Sequence, residues 1–141
     1  MKSPRRLLVA LTLTCGLVLG TLPPPAAAGS AEYGRAWRKD GVLRAGCHDY
    51  RFHYRVRPGN VQPGNDWAVE FFVVDRRGES VASAVKDSEI DPKRGTARFG
   101  LCRTSTVPGR FKIRGKLSVY DGYTLVGEVW IKPARFRLRR S

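Results

Sequence analysis

The stretch "GRFKIRGKLSVYDG", residues 109–122, carries a positive charge at every second residue from Arg110 to Lys116. Arg110, Lys112, Arg114 and Lys116 share one parity; Phe111, Ile113, Gly115 and Leu117 share the other. A period of two belongs to a β-strand with one wet face and one buried face. The four cations therefore have two readings. They are either a surface for something anionic, or the solvated side of a strand whose charges also discourage edge-to-edge pairing.

Downstream, "YTLVGEVWIK" follows Asp121-Gly122 as a hairpin return. Two registers compete. A two-residue Asp-Gly turn sets Glu128 opposite Gly115 on the inner face. A three-residue loop over 121–123 instead pairs Val119 with Leu125, Ile113 with Ile131, Lys116 with Glu128 and Arg114 with Trp130. Burial favours the second and turn chemistry the first; a bulge at Gly127 would reconcile them. Ala134, Phe136 and Leu138 then alternate with Arg135, Arg137 and Arg139 in a terminal strand, where Pro133 suits an edge or a break.

Upstream the same period recurs. Tyr50, Phe52, Tyr54 and Val56 oppose Arg51, His53, Arg55 and Arg57, and two Pro-Gly-Asn turns follow. "DWAVEFFVVD" is apolar on both faces, which predicts a central strand. A weaker strand over 80–85, a loop "KDSEIDPKRG" and a strand "TARFGLC" with Ala97, Phe99 and Leu101 inward complete the series. Residues 29–46 show no clear period and read as a flexible arm, with at most a short strand at "GVLRA". Trp37, among Arg35, Arg38 and Lys39, either stacks on a ligand or folds back on the domain. Six or seven short strands punctuated by turns, with no long helical pattern, predict an all-β antiparallel sandwich over 47–141.

The N-terminus addresses compartment. Lys2, Arg5 and Arg6 precede an uncharged apolar run, and Ala26 and Ala28 take the small positions of an A-x-A cleavage site. A signal peptide over 1–28 is expected, with cleavage after Ala31 as the alternative. The run is shorter than the roughly 20 residues of a spanning helix. Thr14 before Cys15, and the apolar residues beyond it, argue against a lipidated cysteine. Removing the signal leaves Cys47 and Cys102, an even count in an exported chain, which predicts one disulfide. Such a bridge, closing a loop of about 56 residues, stabilises by roughly 4 kcal/mol through loop-closure entropy.

Charge narrows the partners. The chain has 26 basic and 12 acidic residues; without Lys2, Arg5 and Arg6 the balance is 23 against 12, a net charge of +11. That favours polyanionic surroundings, among them nucleic acid, acidic glycans, teichoic acids and anionic membrane surfaces, without choosing among them.

The motif "VPGRFKIRGKLSVYD", a Pro-Gly-x-aromatic turn into a long alternating strand, resembles the penultimate strand of bacterial immunoglobulin-like and PKD-like modules. Cys47 with Trp67 twenty residues later is similar to the immunoglobulin pattern, but Cys102 ends one strand too early for the inter-sheet bridge and no Y-x-C corner is present. From Cys47 onward the chain resembles small secreted β-sandwich proteins of actinobacteria. The resemblance implies an immunoglobulin-like sandwich and carries little about function.

Catalytic chemistry finds little support. His48-Asp49 and the serines lack a nucleophile elbow or a comparable constellation. His48 and His53 differ in strand parity and do not share a metal; Asp87, Glu89 and Asp91 lack the EF-hand pattern and sit among Lys86, Lys93 and Arg94. No cofactor or metal is expected. The basic rows remain. Arg110, Lys112, Arg114, Lys116, Arg135, Arg137 and Arg139 are the candidate anion-binding residues, read mainly as wet strand faces with a weak, salt-sensitive attraction to polyanions. Nucleic-acid modules interleave such charge with exposed aromatics, and here the aromatics mostly point inward, so sequence-specific nucleic-acid binding is not expected. The expected function is a secreted, non-enzymatic module, associated with anionic cell-envelope polymers or another secreted protein. The alternatives are a secreted inhibitor or antimicrobial factor, or a small secreted hydrolase.

Overall fold

The computed structural model describes residues 28–63 and 66–140. The signal expected over 1–28 (apart from Ala28), Gly64-Asn65 of the second turn, and Ser141 lie outside the described residues. Eight strands follow in order: β1 (Ser30–Trp37), β2 (Gly41–Leu43), β3 (Cys47–Val56), β4 (Asp66–Val74), β5 (Ser80–Asp87), β6 (Arg94–Cys102), β7 (Gly109–Asp121) and β8 (Thr124–Arg140). No helix among the described residues is long and apolar enough to cross a membrane.

The strands form one connected sheet, ordered β5-β4-β7-β8-β1-β3-β6, with β2 also paired to β8. All ladders are antiparallel except those of β8 with β1 and with β2. The two ends of the path, β5 and β6, approach within 8 Å between Cα atoms, so the sheet curls almost into a barrel. A sandwich of two sheets and six to seven strands was the expectation, and the difference has one cause. β1, in the segment read as a flexible arm, lies between β8 and β3 and joins β5-β4-β7-β8 to β3-β6. Its outward Arg35 and Trp37 flank a buried Ala36, too small an apolar signal to mark a strand from sequence.

The alternation predicted for β3, β6 and β7 is present, and β4, expected as a central strand, is paired on both sides, by β5 and β7. Phe52, Val69, Phe71, Ile113, Leu117 and Val119 are fully buried, and Trp67, Phe99, Phe111 and Phe136 nearly so. The interior is filled by rings: Phe52 meets Phe71 edge-on at 4.8 Å, and Phe136 links Phe111 at 5.5 Å to Phe99 at 6.0 Å. Such pairs each add about 0.5–1.5 kcal/mol beyond their burial. Gly115 makes room for this packing, since a Cβ there would lie 2.8 Å from Ile131 Cδ1 and 3.0 Å from Phe71 Cε1. At one end Arg38 lays its guanidinium 5.3 Å from both the Tyr50 and Phe136 rings, and donates to the Arg51 carbonyl. The disulfide Cys47–Cys102 is present and ties a directly opposed pair at the end of the β3–β6 ladder.

The β7–β8 hairpin adopts neither anticipated register. Its loop is Gly122-Tyr123, with Tyr120 opposite Leu125; Gly122 has φ +56, and among the described residues only glycines have positive φ, the pattern of a type II′ turn. One extra residue on β8 then shifts the pairing to Val119–Gly127 and Gly115–Ile131, beside the glycine expected to bulge. The result keeps the inward parity of the burial-favoured register. A second shift lies between Ile131 and Ala134, around Pro133. It lets both residues face inward and leaves Arg135 and Arg137 outside, so Pro133 marks a bulge inside one continuous strand.

Candidate anion-binding face

The four outward cations of β7 meet different neighbours along its length. Lys116 is opposite Glu70 on β4, and its Nζ lies 3.5 Å from Glu70 Oε2 and 3.4 Å from Glu128 Oε2. Glu128 also accepts from the Ser118 hydroxyl at 3.2 Å. The charge of Glu128 first, and that of Glu70 with it, raise the Lys116 pKa above its ordinary value against the opposing pull of burial. Arg114 lies opposite Phe72 and sets its guanidinium 4.2 Å over the Trp130 ring, which itself packs on Phe72. These two cations are absorbed by the fold.

The other two are not. Lys112 stands opposite Arg135, and Arg110 opposite Arg137. With Arg76 from the β4–β5 turn they line a groove whose acidic members are Asp40 and Asp75. Both acids hold backbone N–H groups, and neither pairs with the four cationic side chains. Asp40 accepts from the Arg137 backbone N–H at 2.8 Å. Asp75 accepts from the N–H groups of Arg77 and Glu79 and pairs with the Arg77 guanidinium at 3.2 Å. Burial alone would raise the Asp75 pKa, but these bonds outweigh it and hold the carboxyl below its ordinary value. Among the described residues no carboxylate forms an ion pair with Arg110, Lys112, Arg135 or Arg137. Directly opposed like charges destabilise a sheet, by about 0.2–1 kcal/mol per pair. Arg139 is exposed but sits opposite Val42 of β2, away from the groove.

A second basic surface was not legible in the sequence as a unit. Arg35 on β1 is opposite Lys132 on β8 and Arg55 on β3, and Arg55 is opposite Arg94 on β6. One position along, Trp37 stacks on His53 at 5.5 Å with the Arg35 guanidinium 5.1 Å from its ring. The outward parity of Arg51 and Arg55 was visible, but their neighbours lay in the segment read as an arm. The signal that could have found them is the pair Arg35 and Trp37, two residues apart and flanking a small residue.

The remaining candidates are used locally. His48 Nε2 is 2.7 Å from the Ala45 carbonyl, and His53 Nδ1 lies 3.3 Å from the Thr96 hydroxyl. Asp87 accepts from the Glu89 and Ile90 N–H groups, while Asp91 pairs with Lys86 at 2.8 Å. No three His, Cys, Asp or Glu side chains converge among the described residues. Compared with models of known protein families and with curated proteins, the chain matches none.

Proposed function

We propose that the protein is a secreted, non-enzymatic β-rich module that binds anionic polymers of the cell envelope through the groove between β7 and β8. Export follows from the charged and apolar N-terminal pattern and the paired cysteines. The observation that carries the binding assignment is the double like-charge opposition, Arg110 against Arg137 and Lys112 against Arg135, with none of the four side chains paired to a carboxylate among the described residues. A fold alone gains nothing from that arrangement; a polyanion laid in the groove turns its repulsion into attraction. Guanidinium groups suit this task because their fork donates two parallel hydrogen bonds to an oxyanion. No base-reading motif accompanies the charge, so recognition is by charge spacing.

The test is equilibrium binding of the purified protein to heparin, DNA and a teichoic-type polymer at low and moderate salt. Binding to each should fall steeply with salt through counterion release. Reversing Lys112 and Arg135 together should weaken all three. Lack of binding to any polyanion at low salt would overturn the proposal.

A further inference from the structure

We propose that the two basic surfaces are one track, and that a single linear phosphate polymer follows it across the strands rather than along β7. This rests on the polyanion-binding reading above and adds its path and its ligand. β8 belongs to both surfaces: Arg135 faces Lys112 of β7, and Lys132 faces Arg35 of β1. The row then continues through Arg55 to Arg94. All six side chains are on the outer surface, five of them exposed and Lys112 half-buried. Neighbouring strands lie about 4.8 Å apart, so the five strands from β7 to β6 carry cations over about 19 Å across the sheet, with a step of about 10 Å along β8 from Arg135 to Lys132. Among the described residues none of the six forms an ion pair with a carboxylate.

The chemistry of the occupant follows from what the track lacks and what it repeats. Its nearby indole rings are engaged: Trp37 by His53 and Arg35, Trp130 by Arg114. Single-stranded nucleic-acid sites hold bases on free aromatic faces, whereas both indoles beside this track already carry a ring or a guanidinium. A duplex is too stiff to follow a row that curves with the sheet. What repeats, at every strand, is a cation, mostly guanidinium. A flexible chain with an anionic phosphate in each repeating unit satisfies successive strands without bases.

The experiment measures binding of inorganic polyphosphate, in chains longer than the track, to the wild type and to three variants. These are Arg55→Gln with Arg94→Gln, Lys112→Gln with Arg135→Gln, and Arg55→Lys with Arg94→Lys; circular dichroism monitors folding. One track predicts one chain per protein. Each Gln pair should flatten the plot of log affinity against log salt by about 0.7 for each phosphate no longer neutralised, and the Lys pair should keep the wild-type slope. Two chains bound to wild type, with each Gln pair removing one of them, would overturn the single track. So would a slope untouched by Arg55→Gln with Arg94→Gln, since binding would then be confined to the β7–β8 groove. Tighter binding of an oligothymidylate than of polyphosphate at equal salt would overturn the phosphate-polymer assignment. Absence of all polyanion binding would instead overturn the functional reading on which the track rests.

Discussion

At one end of the outer row of β7, Lys116 reaches two carboxylates and Arg114 lies on an indole ring. At the other end, Lys112 and Arg110 look directly across at Arg135 and Arg137. The four residues follow one another at the same period and are indistinguishable in the sequence. The difference comes from their partners on β4 and β8. At the first end the sheet supplies Glu70, Glu128 and Trp130, and the charges help to hold three strands together. At the second it supplies more positive charge, and the sheet bears the repulsion. A charged strand face is therefore not one kind of surface. Its role is set residue by residue, by what stands opposite.

The largest perturbation removes what supports both ends. Phe71 is fully buried against Phe52 and Tyr54 beneath the row, and Phe71→Ala should lower unfolding free energy by about 3–5 kcal/mol in denaturant titration. A change below about 1 kcal/mol would mean that this ring cluster is not the core. Next is Gly115→Ala, between the two absorbed cations. Its new methyl would press on Ile131 and Phe71, so stability should fall by about 1–3 kcal/mol while the folded fraction still binds polyanion. Loss of binding without loss of stability would put the ligand at the wrong end of β7.

A smaller effect separates the groove's acids from its cations. The folded Asp75 carboxyl titrates below its ordinary value, so its contribution is fully present above the unfolded value of about 4 and is lost as pH falls through the folded one. Asp75→Asn should thus be less stable than wild type at neutral pH, and the gap should close in acid. A gap that stays constant down to about pH 2 would show that the Asp75 charge contributes nothing to its turn.

Much of this was legible in the sequence, for reasons particular to each element. Alternation over 50–56 and 110–117 dictated which residues enter the core, and burial set the inward parity of the hairpin although its turn lay elsewhere. The preference of burial for Lys116 beside Glu128 and Arg114 beside Trp130 also survives as side-chain contacts, even though the backbone pairs Lys116 with Trp130. What escaped was β1. A strand whose inward residues include Gly34 and Ala36 carries almost no hydrophobic period, and it is held by its neighbours on both sides rather than by its own sequence. With β1 hidden, so were the closure of the sheet and the opposition of Arg35 to Arg55 and Lys132. The seven residues singled out as anion-binding were all outward, but parity could not sort them. Pairing leaves Arg110, Lys112, Arg135 and Arg137 facing one another, gives Arg114 and Lys116 to the fold, and places Arg139 beside β2.

The smallest effect is also the most direct test of the central claim, that the Arg110–Lys112 end serves a ligand and the Arg114–Lys116 end serves the fold. The same reversal is made at two sites, Lys112→Glu and Lys116→Glu, and both stability and polyanion binding are measured. At Lys112 the new carboxylate faces Arg135, so stability should rise by about 0.2–1 kcal/mol while binding weakens. At Lys116 it joins Glu70 and Glu128, so stability should fall by a similar amount and binding should change far less. Opposite signs in stability, paired with unequal losses of binding, are the predicted result. Stability and binding falling alike at both sites would contradict the account.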